Sequence, residues 1–136
     1  MATLLNPYLS LPGTARQAVE HYASVFRGES SVMTFGQAGD ADAPHADQVM
    51  HAQIEWPGGT LMVADMPPGT DHSPGNDVAI SLSGDDADEL RGYWDRLVEG
   101  GSVQVPLEPQ MWGDVFGMCV DRFGIQWMVN ITQPTG

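Results

Sequence analysis

The sequence predicts an α+β fold of two tandem β-α-β-β-β modules whose strands form a curled mixed sheet. Three observations carry that prediction. Short apolar runs are punctuated by 16 glycines and 10 prolines, which implies many short elements. Two amphipathic helical segments each stand between one strand and a run of three more. The order of elements then repeats along the chain. At 136 residues and 42% hydrophobic content the chain can bury one core. We read residues 1–136 as a single domain of two repeats, the first module over 1–66 and the second over 76–136.

The elements follow in order. Leu9 to Leu11 lies in a short alternating run that Pro12-Gly13-Thr14 breaks. Over residues 15–27, Ala15, Ala18, Val19, Tyr22 and Phe26 fall on one helical face, with Thr14 as the expected N-cap and Gly28 past the end. A strand is expected over 30–36 and a loop over 37–47. In residues 48–56, Met50, Ala52, Ile54 and Trp56 alternate with His51, Gln53 and Glu55, the pattern of a half-buried strand. Pro57-Gly58-Gly59 is a hairpin signal, 60–65 the returning strand, and 66–76 a Pro/Gly linker. The second pass has a strand at 77–82, a turn at Ser83–Asp86 and a helix with Leu90, Tyr93, Trp94 and Leu97 on one face. Gly100-Gly101 ends that helix, and strands follow near 102–107, 115–121 and 125–131. Counting aligns Leu9 with Ile80, Tyr22 with Tyr93 and Val32 with Val103, each 71 apart. After the loop the spacing becomes 65, as in Met50 with Val115 and Gly59 with Gly124.

Charge excludes several function classes. There are 18 acidic residues against 5 basic ones, for a formal net charge of −13, and all five cations are arginine. So acidic a surface is repelled by phosphate backbones and anionic lipid heads, so neither nucleic acid nor a membrane is an expected partner. The chain opens with no basic-then-apolar leader, and the expected location is cytoplasmic. The single cysteine, Cys119, forms no internal disulfide, and its apolar strand predicts a small buried hydrophobe.

Several segments carry a resemblance. They are Asn6-Pro7-Tyr8-Leu9, the helix AVEHYASVF, Met33-Thr34-Phe35-Gly36, Val49-Met50-His51-Ala52, Trp112-Gly113 with Phe116-Gly117, and above all Asp121-Arg122-Phe123-Gly124-Ile125-Gln126-Trp127-Met128-Val129-Asn130. Together they resemble the vicinal oxygen chelate superfamily (glyoxalase, bleomycin-resistance and extradiol dioxygenase proteins), and within it the PhnB-like branch. The resemblance implies two modules curled into a cup that holds a small molecule, in a homodimer. Members of the branch often carry the label of demethylubiquinone methyltransferases. The sequence gives that activity no support, having neither a Gly-rich strand-to-helix turn nor alternating β-α-β-α units in its first half.

The resemblance also implies where a metal would sit in metal-dependent relatives. The places are the start of each module's first strand and its last strand, four residues after the turn glycine. Here those positions hold Asn6, Val63, Asp77 and Met128. Valine cannot ligate, and a thioether suits hard or borderline ions poorly. The expectation is therefore no metal and no cofactor. A divalent metal belongs to the alternative reading, a glyoxalase- or dioxygenase-type enzyme with an atypical site.

The expected ligand-binding residues are Tyr8, His51, Gln53, Glu55, Asp65, Trp112, Gln126 and Met128. His51 and Glu55 are the candidate acid/base groups, about 13 Å apart along a strand and too far for direct contact. Trp112, beside Gly113 in a proline-fenced loop that also carries Glu108, suits stacking on a planar ligand. His45 and His72 sit in polar loops, and His21 on the first helix is expected to be solvated. The function expected overall is small-molecule binding.

Overall fold

The computed structural model describes residues 3–67 and 69–133, apart from the side chain of Asp40. The elements are β1 (Tyr8–Leu11), α1 (Ala15–Phe26), β2 (Glu29–Thr34), β3 (Val49–Trp56), β4 (Gly59–Asp65), β5 (Ile80–Gly84), α2 (Ala87–Val98), β6 (Ser102–Pro109), β7 (Val115–Val120) and β8 (Gln126–Ile131). Strands order as β1-β4-β3-β2 in one four-stranded sheet and β5-β8-β7-β6 in another. In each, the first strand runs parallel to the last, and the remaining neighbours are antiparallel. The chain divides into two compact units, residues 1–73 and 74–136.

In the first unit α1 covers one face of its sheet. Ala15, Ala18, Val19, Tyr22, Val25 and Phe26 are buried against Ala52, Ile54, Leu61 and Val63. Phe26 stacks on Trp56 with ring centroids 4.2 Å apart, which closes the far end of the helix onto the β3–β4 hairpin. Thr14 does not cap this helix with its side chain. The first helical N–H is taken instead by Asp65, fifty residues on. Asp65 Oδ1 accepts from Ala15 N at 2.9 Å and Oδ2 from Val49 N at 2.8 Å.

In the second unit Leu90, Trp94 and Leu97 of α2 pack on β5, β7 and β8. A Cβ at Gly117 would lie 2.9 Å from the Trp94 ring, so that ring rests directly on strand backbone there. Asp86 caps α2 by accepting from Glu89 N at 3.1 Å. The β7–β8 turn is built around Asp121, which is 3% exposed. Its Oδ1 accepts from Phe123 N at 2.8 Å and Ile125 N at 3.1 Å, and its Oδ2 accepts from the Trp127 indole at 2.8 Å. Gly124 turns the chain at φ +85°, a conformation glycine adopts without strain.

The repeat is present, but its spacing differs from the sequence count. Buried helix positions match as Ala18 with Leu90, Tyr22 with Trp94 and Val25 with Leu97, which is 72 rather than 71 residues apart. Aromatic identity misled the count, because Tyr93 points its hydroxyl to Glu89 on the exposed side while Trp94 enters the core. Element boundaries also move. β5 starts at Ile80 rather than at 77, β2 ends at Thr34 rather than at 36, and a short helical turn, Gly36–Asp40, stands at the start of the expected loop.

Cys119 is fully buried. Burial, with the Asp121 carboxylate adding repulsion, pushes its thiol up from 9.0 to about 11. Folding therefore favours the protonated thiol. This contribution to stability is whole below pH 9 and is lost as pH rises from 9 through about 11. The urea midpoints of wild type and Cys119→Ala should converge over that window. At pH 8 a disulfide reagent should label the native thiol at least about 100-fold more slowly than the unfolded chain.

Candidate functional site

The face of the first sheet opposite α1 carries four of the eight candidate residues, Tyr8, His51, Gln53 and Glu55. Register fixes its members. Tyr8 lies beside Met62, Met62 beside Gln53, and Gln53 beside Ser31, forming one row across four strands. His51 pairs with Met33, and Glu55 with Glu29. Tyr8 is 52% exposed and Met33 47%. The Tyr8 and His51 rings lie 5.8 Å apart at a tilt of 35°.

Along β3, three side chains form a hydrogen-bonded line. His51 Nε2 is 3.5 Å from Gln53 Oε1, and Gln53 Nε2 donates to Glu55 Oε1 at 2.6 Å. His51 and Glu55 are thus apart, as the strand spacing requires, but Gln53 joins them. The face combines the Tyr8–His51 ring pair, two thioethers and the exposed carboxylates of Glu55 and Glu29. Such a surface can cover an apolar ring, exchange hydrogen bonds and attract positive charge.

Asp65 does not belong to this face. It is 5% exposed, alternates with Ala64 to the helix side of β4, and spends both oxygens on backbone N–H groups. We correct its expected ligand-binding role to a structural one. Val63, expected at a ligand position, is fully buried on that same side. The residue on β4 facing as Met128 does on β8 is Met62, since Met62 pairs with Gln53 and Met128 with Met118 on the open sides. Met50 also leaves its expected place. The register shifts between Met33 and Thr34, so Val49 rather than Met50 enters the core.

In the second unit Gln126 and Met128 share the half-buried side of β8. Gln126 Nε2 donates to the Val78 carbonyl at 3.2 Å. Trp112 is 60% exposed and meets Phe116 edge-on, with ring centroids 5.8 Å apart. Glu108 lies in β6, paired with Phe116, rather than in a loop. His45 meets the edge of Phe35 at 5.0 Å, His72 is exposed, and His21 is half-buried beside Tyr22 rather than solvated.

The four positions where relatives would hold a metal offer a poor donor set. Val63 is in the core, Asp77 is exposed, Asn6 brings a carboxamide and Met128 a thioether. Among the described residues, no three of the His, Cys, Asp and Glu side chains are grouped so as to hold an ion.

The sequence did not reveal a cavity of about 500 Å³ in the first unit, off the ends of β1 and β4, lined among others by Pro12, Pro44, His45, Gln48, Met66 and Thr70. Its walls come from three loops separated in sequence. Met33 and Met62 are further members of the open face that the expected site left out.

Comparison with known proteins gives the chain its relatives. The profile of a family described as 3-demethylubiquinone-9 3-methyltransferase matches residues 4–130. The crystal structure of protein PA1353 from Pseudomonas aeruginosa is 35% identical, covers 98% of this chain and 100% of its own, and superposes with a TM-score of 0.88. A PhnB protein from Bacillus cereus is 19% identical over 96% of this chain and 100% of its own, with a TM-score of 0.78. A glyoxylase/bleomycin resistance protein/dioxygenase domain from Frankia sp. EAN1pec is 16% identical over 98% and 99%, with a TM-score of 0.66. The two less similar structures establish fold alone.

Proposed function

Since the chain belongs to the PhnB-like family described as 3-demethylubiquinone-9 3-methyltransferase and has the glyoxalase/bleomycin-resistance fold, we propose that it binds a small molecule on the open face of its first sheet without a transition metal. The observation that carries this reading is the cluster of Tyr8 on β1 with His51, Gln53 and Glu55 along β3. Four polar or aromatic side chains with separate chemistry stand together on one face, three of them ordered by hydrogen bonds. The exposed Glu55 carboxylate and the −13 net charge favour a cationic or partly aromatic ligand. Gln126, Met128 and Trp112 are, by themselves, candidate contact groups of the second unit. The methyltransferase activity in the family's description is not part of the proposal. No helix among the described residues is long and apolar enough to cross a membrane. The proposal keeps the chain a cytoplasmic homodimer, which gel filtration at micromolar concentration tests for assembly.

Two measurements test the function. Protein purified without chelators should carry well under one Ni, Zn, Fe or Mn per chain. About one tightly held ion per chain would favour the enzyme alternative and overturn the metal-free reading. Titration with ethidium, a planar aromatic cation, should raise the melting temperature of wild type by a few degrees. Tyr8→Ala and Glu55→Gln should each weaken ethidium binding by about 5-fold or more, in line with one lost ring or charge contact.

A further inference from the structure

The line along β3 has a direction that its chemistry fixes. The Glu55 carboxylate is an acceptor only, so the side chain that meets it must present a donor. Gln53 therefore turns its Nε2 to Glu55, at 2.6 Å, and its Oε1 to His51. Oε1 is also an acceptor only. The neutral imidazole meeting it must then hold its proton on Nε2. Nδ1 is left as the lone-pair nitrogen, and among the described residues no hydrogen bond engages it. The ring carrying it lies 5.8 Å from that of the half-exposed Tyr8.

We propose that Glu55 and Gln53 act as positioning residues that hold His51 as the Nε2–H tautomer, making Nδ1 the hydrogen-bond acceptor of the open face. The ligand class follows: a planar molecule that presents an N–H or O–H donor to Nδ1 while its ring lies against Tyr8. The ligand part rests on the binding reading above, whereas the tautomer part stands on the unliganded protein. Met33 and Met62, on the strands either side of β3, supply adaptable apolar flanks for such a ring.

Long-range ¹H–¹⁵N spectra of the imidazoles, taken at pH 8 on the full chain, read the tautomer directly. The expected result is an unprotonated Nδ1 and a protonated Nε2 on His51. Glu55→Gln lets the Gln53 amide turn over, and Gln53→Leu removes it, so each should shift His51 toward a mixture of tautomers. Glu20→Gln, on the exposed side of α1, should leave the pattern unchanged, and backbone amide spectra show that each variant is folded. A wild-type proton on Nδ1, or an unchanged pattern in Glu55→Gln, would overturn the positioning role. Indole and 1-methylindole then test the ligand class, since they differ in one N–H. Wild type should prefer indole by about 2–10-fold, the worth of one hydrogen bond, and His51→Phe should abolish the preference. Equal affinities, or no indole binding where ethidium binds, would overturn the ligand class and leave the binding reading intact. Failure of ethidium to bind, with the tautomer as expected, would overturn the binding reading and the ligand class that rests on it, and leave the positioning role standing.

Discussion

Asp121→Ala lowers the stability of the protein by about 3–5 kcal/mol and the melting temperature by roughly 10 °C or more. The expectation follows from what one carboxylate holds. Phe123 N, Ile125 N and the Trp127 indole N–H all donate to Asp121, which is 3% exposed. Alanine removes the acceptor of two half-buried amides and of one buried indole, and each loss costs about 1–3 kcal/mol, least where water reaches the amide, with less than full additivity. Trp127 is among the largest fully buried side chains, so its indole N–H would lose this acceptor deep in the core. Asp121→Asn keeps one acceptor oxygen but turns an NH2 toward donors, and should recover less than half of the loss. Denaturant melts of the three proteins check this. A loss below about 1 kcal/mol for alanine would mean that the turn is held by its backbone alone.

Asp65→Ala should cost about 2–4 kcal/mol, by a similar argument with fewer donors. Asp65 joins the first turn of α1 to the first residue of β3 through Ala15 N and Val49 N. Its effect should be local as well as global. Hydrogen exchange at Ala15 and Val49 should accelerate more than exchange at Val25, near the far end of α1. Val49 lies two residues before His51, at the register shift opposite Met33 and Thr34. Loosening it should therefore also weaken ethidium binding on the open face, although Asp65 itself faces away from that side. Unchanged exchange at both amides would contradict the capping role.

The fold was largely legible because its signals are local. Alternation over residues 50–56 separated Ile54 and Ala52 from His51, Gln53 and Glu55, and the two sides of β3 follow that division. Pro-Gly-Gly marked the hairpin, and the spacing of Ala15, Ala18 and Tyr22 marked α1. What failed depended on contacts distant in sequence. A bulge between Met33 and Thr34 moved Val49 into the core, which no property of residues 48–56 alone could announce. Counting from a turn glycine put Val63 at a ligand position, and a one-residue difference in register sent it to the opposite side. Asp65 reads in sequence as a charged residue at a strand end. Only its partners fifty and sixteen residues away turn it from a ligand group into a helix cap. The line from His51 to Glu55 lay between these cases. Period-two alternation put the residues on one side, while their hydrogen bonds needed the structure.

The central claim is that a small molecule binds the open face of the first sheet. Amide and side-chain shift mapping of ¹⁵N,¹³C-labelled protein titrated with ethidium tests it most directly. Saturable shifts are expected, centred on Tyr8, His51, Gln53, Glu55 and Met62, with Asp65 and the buried face of α1 little changed. Saturable shifts confined to other surfaces, or none at millimolar ethidium, would contradict it.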